Sequence, residues 1–235
     1  MNTTIKCKKG ELIITDDYVI FEDTKIDINK IYFFAILGAF SRNIIICYED
    51  KELKIGVKSE GEKQFVEIAG EIEEIVYNNL TKYFSEQHNP EDLINFMKSN
   101  KLCGFDIIKK TVVPCLEYAN ELIDKDEKII IQWVGEVIPV FLAGNLFSKH
   151  PGKLPITGPI TITNKRLISC YKGTHLGKTN KYYYTMDFDG AQLHVPSSSQ
   201  YLLSNPNNDT SLLIELAVIF NSGPVSRCIR NMIKQ

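Results

Sequence analysis

The chain has 235 residues, of which 44% are hydrophobic and 24% charged, and its formal net charge is −2. This balance excludes a largely disordered chain, and the length allows one large domain or two of roughly 100 residues each. No uninterrupted apolar run reaches the roughly 20 residues that a spanning helix needs; the nearest stretch, 129–147, is broken by Gln132, Glu136, Pro139 and Asn145 and reads as buried strand.

Taken in order, residues 11–15, 18–22 and 25–28 are short β-rich pieces separated by turns at Asp16-Asp17 and Asp23-Thr24. Residues 32–40 form an apolar run with Gly38 inside, expected to be a buried strand ending in a bend. Residues 43–49 and 53–57 read as a hairpin around Asp50-Lys51. The period then changes. Phe65, Ile68, Ala69, Ile72, Ile75, Val76, Leu80, Tyr83 and Phe84 recur at three- and four-residue spacing, so 60–86 is expected to be a helix with one apolar face. Ser59 and Glu62 have the spacing of a capping box.

Residues 88–124 read as an all-helical connector. Asn89-Pro90 suits a helix start, Gly104 a break, and Pro114 a kink or restart. A second β-rich region begins near Lys128. Residues 159–163 and 166–171 read as a hairpin around Asn164-Lys165. Asp189-Gly190 is expected to join 181–188 to 192–195 as another. Residues 196–209 are expected to be a polar, disordered loop, 212–220 a strand, and the residues after Pro224 a short helix.

ITNKRLI at 162–168 resembles the TNKRL segment at an early hairpin of GRAM domains and related bacterial PH-like domains, and GELIITDDYVIF at 10–21 resembles the same hairpin. The resemblance implies an α+β chain of two PH-like antiparallel β-barrel or sandwich modules, each closed by a C-terminal helix, with a short helical connector. The expected boundaries are 1–87, 88–124 and 125–235. It also implies binding rather than catalysis, with the anion-binding end near the first hairpins of a module.

Charge is unevenly spread over these segments. Residues 1–87 carry 11 basic and 16 acidic side chains, 88–124 carry 4 and 6, and 125–235 carry 12 and 7. From Val137 to Met186 there is no acidic residue, while Lys149, Lys153, Lys165, Arg166, Lys172, Lys178 and Lys181 fall in that window together with His150 and His175. These predict a positive lobe on the second module. The candidate ligand-binding set is Lys149, His150, Lys153, Lys165, Arg166, Lys172, Lys178 and Lys181, directed at an anionic phospholipid or phosphorylated ligand, with Leu146 and Phe147 inserting shallowly. The competing account is that these cations are balanced by the first module or the connector. Tyr182, Tyr183 and Tyr184 beside Lys178 and Lys181 would suit base stacking, but tyrosines in a strand are more often packing residues, so nucleic acid is disfavoured. The turn of the first module holds Asp16-Asp17 where a phosphoinositide reader would carry Lys or Arg.

The six cysteines, Cys7, Cys47, Cys103, Cys115, Cys170 and Cys228, are at least 12 residues apart, so no CxxC pair exists. His88, His150, His175 and His194 show no metal-ligand spacing, and no GxSxG, Walker A or GxGxxG motif occurs. Neither enzyme activity nor a cofactor is expected. With no signal-like N-terminus, the expected setting is cytoplasmic, peripheral at the membrane. The alternative function is a protein–protein scaffold using the connector helices or a barrel edge.

Overall fold

The computed structural model describes residues 2–38, 41–102, 109–143, 146–149, 152–175, 177–197, 200–207, 210–216 and 223–233. The chain is α+β, with antiparallel sheets and, among the described residues, four α-helices, and divides into two compact units, Met1–Tyr83 with Ser99–Leu102 and Phe84–Lys98 with Cys103–Gln235.

In the first unit, β1 (Thr3–Lys6), β2 (Glu11–Ile14), β3 (Tyr18–Phe21) and β4 (Thr24–Asp27) form a meander. Period-2 alternation explains it: Leu12, Ile14, Val19, Phe21 and Ile26 are buried, with more accessible residues between them. The short polar N-terminus, which showed no strand signal, nevertheless supplies β1, whose Ile5 is fully buried. At the β2–β3 turn the Thr15 hydroxyl accepts N–H bonds from Asp17 (3.3 Å) and Tyr18 (2.9 Å) and donates to the Tyr18 carbonyl (3.0 Å). β5 (Ile31–Leu37), β6 (Asn43–Tyr48) and β7 (Lys51–Gly56) form a second meander. Its β6–β7 turn is Glu49-Asp50, one residue earlier than expected, and both residues have positive φ (46° and 60°), as a two-residue hairpin loop requires. An isolated bridge between Cys7 and Val57, with Lys8 N–H donating to the Gly56 carbonyl at 2.7 Å, joins the end of β1 to the end of β7.

Helix α1 (Ser59–Phe84) follows. Phe65, Ile68, Ile72, Val76 and Leu80 are buried along one face, and Phe65 meets Phe34 edge-on at 5.6 Å. The expected capping box is replaced by other contacts: Ser59 is already helical, and the Glu62 carboxylate lies 3.5 Å from Arg42 Nε. Buried Asn79 donates to the carbonyls of Ile28 and Ile31, both at 2.8 Å, and so satisfies the 3-10 turn that precedes β5. Gly70 faces open space in mid-helix. Gly70→Ala is therefore expected to stabilise the protein by about 0.5–1 kcal/mol in urea melts, by removing backbone freedom from the unfolded chain.

In the second unit, α2 (Pro90–Ser99) starts where Asn89 Oδ1 accepts the Asp92 N–H at 2.9 Å, as the Asn-Pro pair implied. Helix α3 (Lys109–Leu122) continues through Pro114 without restarting. It packs on strands of this unit rather than forming a free spacer, with Cys115 and Ala119 against Cys170. The expected break at Gly104 lies outside the described residues. The strands are β8 (Ile129–Ala143), β9 (Leu146–Lys149), β10 (Ile156–Thr163), β11 (Arg166–His175), β12 (Lys178–Asp187), β13 (Gln192–Ser197), β14 (Gln200–Asn205) and β15 (Thr210–Leu216), followed by α4 (Gly223–Ile233). They pair in the order β12-β11-β10-β8-β15-β14-β13, with β9 added to β8.

Three expectations need correction in this unit. The Asp189-Gly190 turn does not make a hairpin, because β12 and β13 lie at opposite edges of the ladder. Gly190 (φ 73°) turns the chain across, and Asn205 Nδ2 donates to the carbonyls of Asp187 (3.2 Å) and Asp189 (2.8 Å), which a hairpin ladder would otherwise have to satisfy. Closed barrels are accordingly absent among the described residues: the ladder runs between two free edges. The polar segment 196–209 contains β14, held by Tyr201, Leu202 and Leu203, all buried. Of the strand expected at 212–220, residues up to Leu216 are described.

Set side by side, the two units repeat one scheme. Among the described residues, and leaving out β9, each places seven strands in the spatial order 4-3-2-1-7-6-5 and adds a helix after the seventh, the 1–7 neighbour in the first unit being the Cys7–Val57 bridge.

Candidate functional site

The stretch with the strongest sequence signal is a structural hub. At the β10–β11 turn the Thr163 hydroxyl accepts the N–H groups of Lys165 (3.1 Å) and Arg166 (3.0 Å), the same arrangement as Thr15 in the first unit. It also lies 3.0 Å from Glu127 Oε1 and 3.1 Å from the Arg166 carbonyl, either of which can accept its single proton. Asn164 joins the ladder, its Oδ1 accepting the Lys128 N–H at 2.7 Å. Arg166 reaches back with a two-pronged bond to Glu127, Nε to Oε1 and a terminal nitrogen to Oε2, both 2.9 Å, and donates to the Leu122 carbonyl at the end of α3 (3.0 Å) and to Asp124 (3.3 Å). The Glu127 side chain is fully buried. Burial pushes its carboxyl up, but bonds from Arg166, the Asp124 N–H and Thr163 outweigh this and hold it below its usual range.

Four of the eight candidate ligand-binding residues are thus engaged with acids that lie outside the acid-free window. Arg166 is paired as above, and Lys165 bonds Asp126. Lys172 lies 3.6 Å from Glu117 and 3.4 Å from Glu121 of α3. Lys181 lies 3.0 Å from Glu121 and sits over the Tyr118 ring, 4.7 Å from its centre. These bonds hold Glu121 below the usual carboxylate range, the Lys181 hydrogen bond first despite some opposition from burial. Lys178, near the far end of β12, is exposed. His150, and the side chains of Leu146, Phe147 and His175, lie outside the described residues.

Lys149 and Lys153 are exposed and enter no ion pair among the described residues. Lys153 lines a cleft of about 590 Å³ between the two free edges of the ladder, walled by Phe141 of β8, Tyr183 and Tyr184 of β12, Gln192 of β13 and Asn205 of β14. Tyr184 Oη donates to the Leu154 carbonyl at 2.8 Å, tying the Lys153 segment to β12. Lys149 stands opposite Val140, another lining residue. Phe141 and Tyr183 of this lining are 46% and 49% exposed, and Leu154, next to Lys153 in the chain, is 66% exposed, so a cation and two large apolar surfaces share the cleft with a third close in sequence. The sequence reading missed Phe141 and Leu154, and weighed Tyr183 and Tyr184 only for base stacking or packing. The usable signal was Leu154, a large aliphatic residue in an otherwise polar loop.

A second cleft in this unit, about 630 Å³, lies among α2, α3 and the start of β8, with Leu93, Leu116, Asn120 and Gln132 in its walls. Among the described residues no group of three or more His, Cys, Asp or Glu side chains is placed to hold a metal ion, and no helix is long and apolar enough to cross a membrane. Burial pushes up the thiols of Cys7, Cys47, Cys115 and Cys170, those of Cys47 and Cys170 to about 12.

No protein-family model matches the chain, and no curated protein matches it. Among solved structures, it is similar to Vav1 inhibited by an allosteric inhibitor, with 9% identity over 74% of this chain and 46% of that one and a TM-score of 0.33. It is also similar to the N-terminally truncated linker-DH/PH domains of p115-RhoGEF, with the same identity and coverage and a TM-score of 0.30. The chain spans less than half of either structure, and overlays at these scores decide neither its fold family nor its function.

Proposed function

We propose that the chain is a non-catalytic binding protein of two PH-like modules, the second of which docks on an anionic membrane surface. The PH-like assignment is supported by the scheme shared by the two units, a four-strand and a three-strand meander meeting through strands 1 and 7, then a helix. The observation that carries the docking is the 590 Å³ cleft, where Lys153 has no acid partner among the described residues and Phe141 and Tyr183 of its lining are exposed, with exposed Leu154 next to Lys153 in the chain and Lys149, also without an acid partner among the described residues, paired opposite Val140 of the wall. Each lysine near an anionic bilayer contributes about 1 kcal/mol, and the apolar rim adds shallow burial, which together give weak, salt-sensitive recruitment. Lys165 and Arg166 belong to the turn framework in this reading, because their acid partners are within the same unit.

Co-sedimentation with phosphatidylcholine vesicles, with and without phosphatidylserine, tests this. Wild type should bind the anionic vesicles alone, less well as salt rises. Lys149→Glu/Lys153→Glu should lose that binding at unchanged urea midpoint. Absence of wild-type binding to either vesicle overturns the reading and favours a protein ligand at the cleft.

A further inference from the structure

The β11–β12 register places Lys172 and Lys181 directly opposite each other on one sheet face. Like charges facing across a strand pair repel, so this arrangement needs an anion between them. Glu121 of α3 supplies it, its carboxylate lying 3.4 Å from Lys172 Nζ and 3.0 Å from Lys181 Nζ, with Glu117 adding a second carboxylate 3.6 Å from Lys172. Tyr118 and Tyr183 meet edge-on beside the pair at 6.3 Å, and Tyr183 also lines the cleft that holds Lys153. The lysine pair therefore shares strand β12 with the wall of the docking cleft.

From this we infer that Lys172 and Lys181 are a second anionic-lipid site, occupied at rest by Glu121 as an internal pseudo-ligand. The inference rests on the reading that this unit meets an anionic surface. Glu117 and Glu121 are half exposed, and ion pairs of that kind are weakly held and screened by salt. Exchange of a carboxylate for lipid phosphate needs only side-chain rotation, since the small contacts of Cys115 and Ala119 on Cys170 keep α3 seated. At the surface of a bilayer rich in acidic lipid, many phosphates compete with one tethered carboxylate. The site then adds its two charges to those of Lys149 and Lys153, which makes recruitment steeper in anionic-lipid content than the rim alone would give.

The test compares wild type, Glu117→Gln/Glu121→Gln, and that variant with Lys172→Gln/Lys181→Gln added, on the same vesicles, with urea midpoints as the folding control. Freeing two lysines should raise affinity for phosphatidylserine vesicles about 10- to 30-fold. Adding the lysine substitutions should return it to the wild-type value or below. If wild type binds and the glutamine variant gains nothing, the pseudo-ligand is overturned while the docking reading stands. A gain that persists without Lys172 and Lys181 also overturns it, because the lysine pair then takes no part in the binding. The same two charges removed instead at the exposed Lys54 and Lys63 of the first unit should leave the gain in place; if that abolishes it, net charge alone explains the effect and the pseudo-ligand is overturned. If no variant binds, both the site and the docking reading fail. A glutamine variant that binds when wild type does not, and loses that binding without Lys172 and Lys181, supports the pseudo-ligand while the docking rim of Lys149 and Lys153 stands overturned.

Discussion

Arg166→Ala is expected to destabilise the protein by about 3–5 kcal/mol, measured as a fall in urea midpoint, because it strands a carboxylate rather than merely deleting a charge. Glu127 has no exposed side-chain surface, and both of its oxygens are bonded by Arg166. Without the guanidinium, burial dominates and the carboxyl rises. Arg166→Lys should recover only part of the loss, since an ammonium cannot make the two-pronged bond or reach the Leu122 carbonyl and Asp124 together. The pH dependence has a definite sign. In wild type the Glu127 carboxyl lies below its usual 4.5, so its contribution is present above about pH 4.5 and is lost as pH falls through the lower folded value. In Arg166→Ala the carboxyl gains little by ionising in place, so the gap between variant and wild type should shrink in acid. A gap that is constant down to pH 3 would contradict the buried-carboxylate account.

Gly61→Ala should cost about 2–3 kcal/mol although alanine is the better helix former. A Cβ at Gly61 would lie 2.1 Å from the Lys6 carbonyl oxygen and 3.2 Å from the Ile5 side chain. The obstacle is backbone, and the strand that carries it is held to the same helical turn by Lys6 N–H to Gln64 Oε1 (2.9 Å) and by Lys6 to Glu60 (2.9 Å). Alanine therefore has to push α1 away from β1 and weaken both contacts. Gly70→Ala in the same helix is the control, because it changes propensity in the same direction and meets nothing. Opposite signs for the two substitutions in urea melts would place the effect in the α1–β1 approach. Equal signs would remove it from there.

Periodicity located most of the elements. The three- and four-residue spacing from Phe65 to Leu80 marked α1, and alternation marked β2, β3, β10 and β11, because a buried face leaves a local imprint on the chain that makes it. Where the imprint was weak the reading failed. β1 has a single deeply buried aliphatic residue, Ile5, in a polar context. β14 has only the Tyr201–Leu203 triplet between Ser-rich and Asn-rich flanks. Asp189-Gly190 has the composition of a hairpin turn, but a turn specifies a change of direction and not which strand lies beside which. That choice was made by the long β8, which pairs with both β10 and β15 and sends β12 and β13 to opposite edges.

The same division holds for charge. The acid-free window from Val137 to Met186 was visible in the sequence, and composition alone determined that the second half of the chain carries the excess of cations. Which cations are free was decided only by tertiary structure. Glu117, Glu121, Asp124, Asp126 and Glu127 lie before the window in sequence yet stand beside Lys172, Lys181, Arg166 and Lys165 once α3 packs on β11. Lys149 and Lys153 have no such partner among the described residues. An ion pair depends on distances of a few ångströms between groups 39 to 60 residues apart here, and linear spacing carries no record of such distances until the sheet register and the helix seat are set.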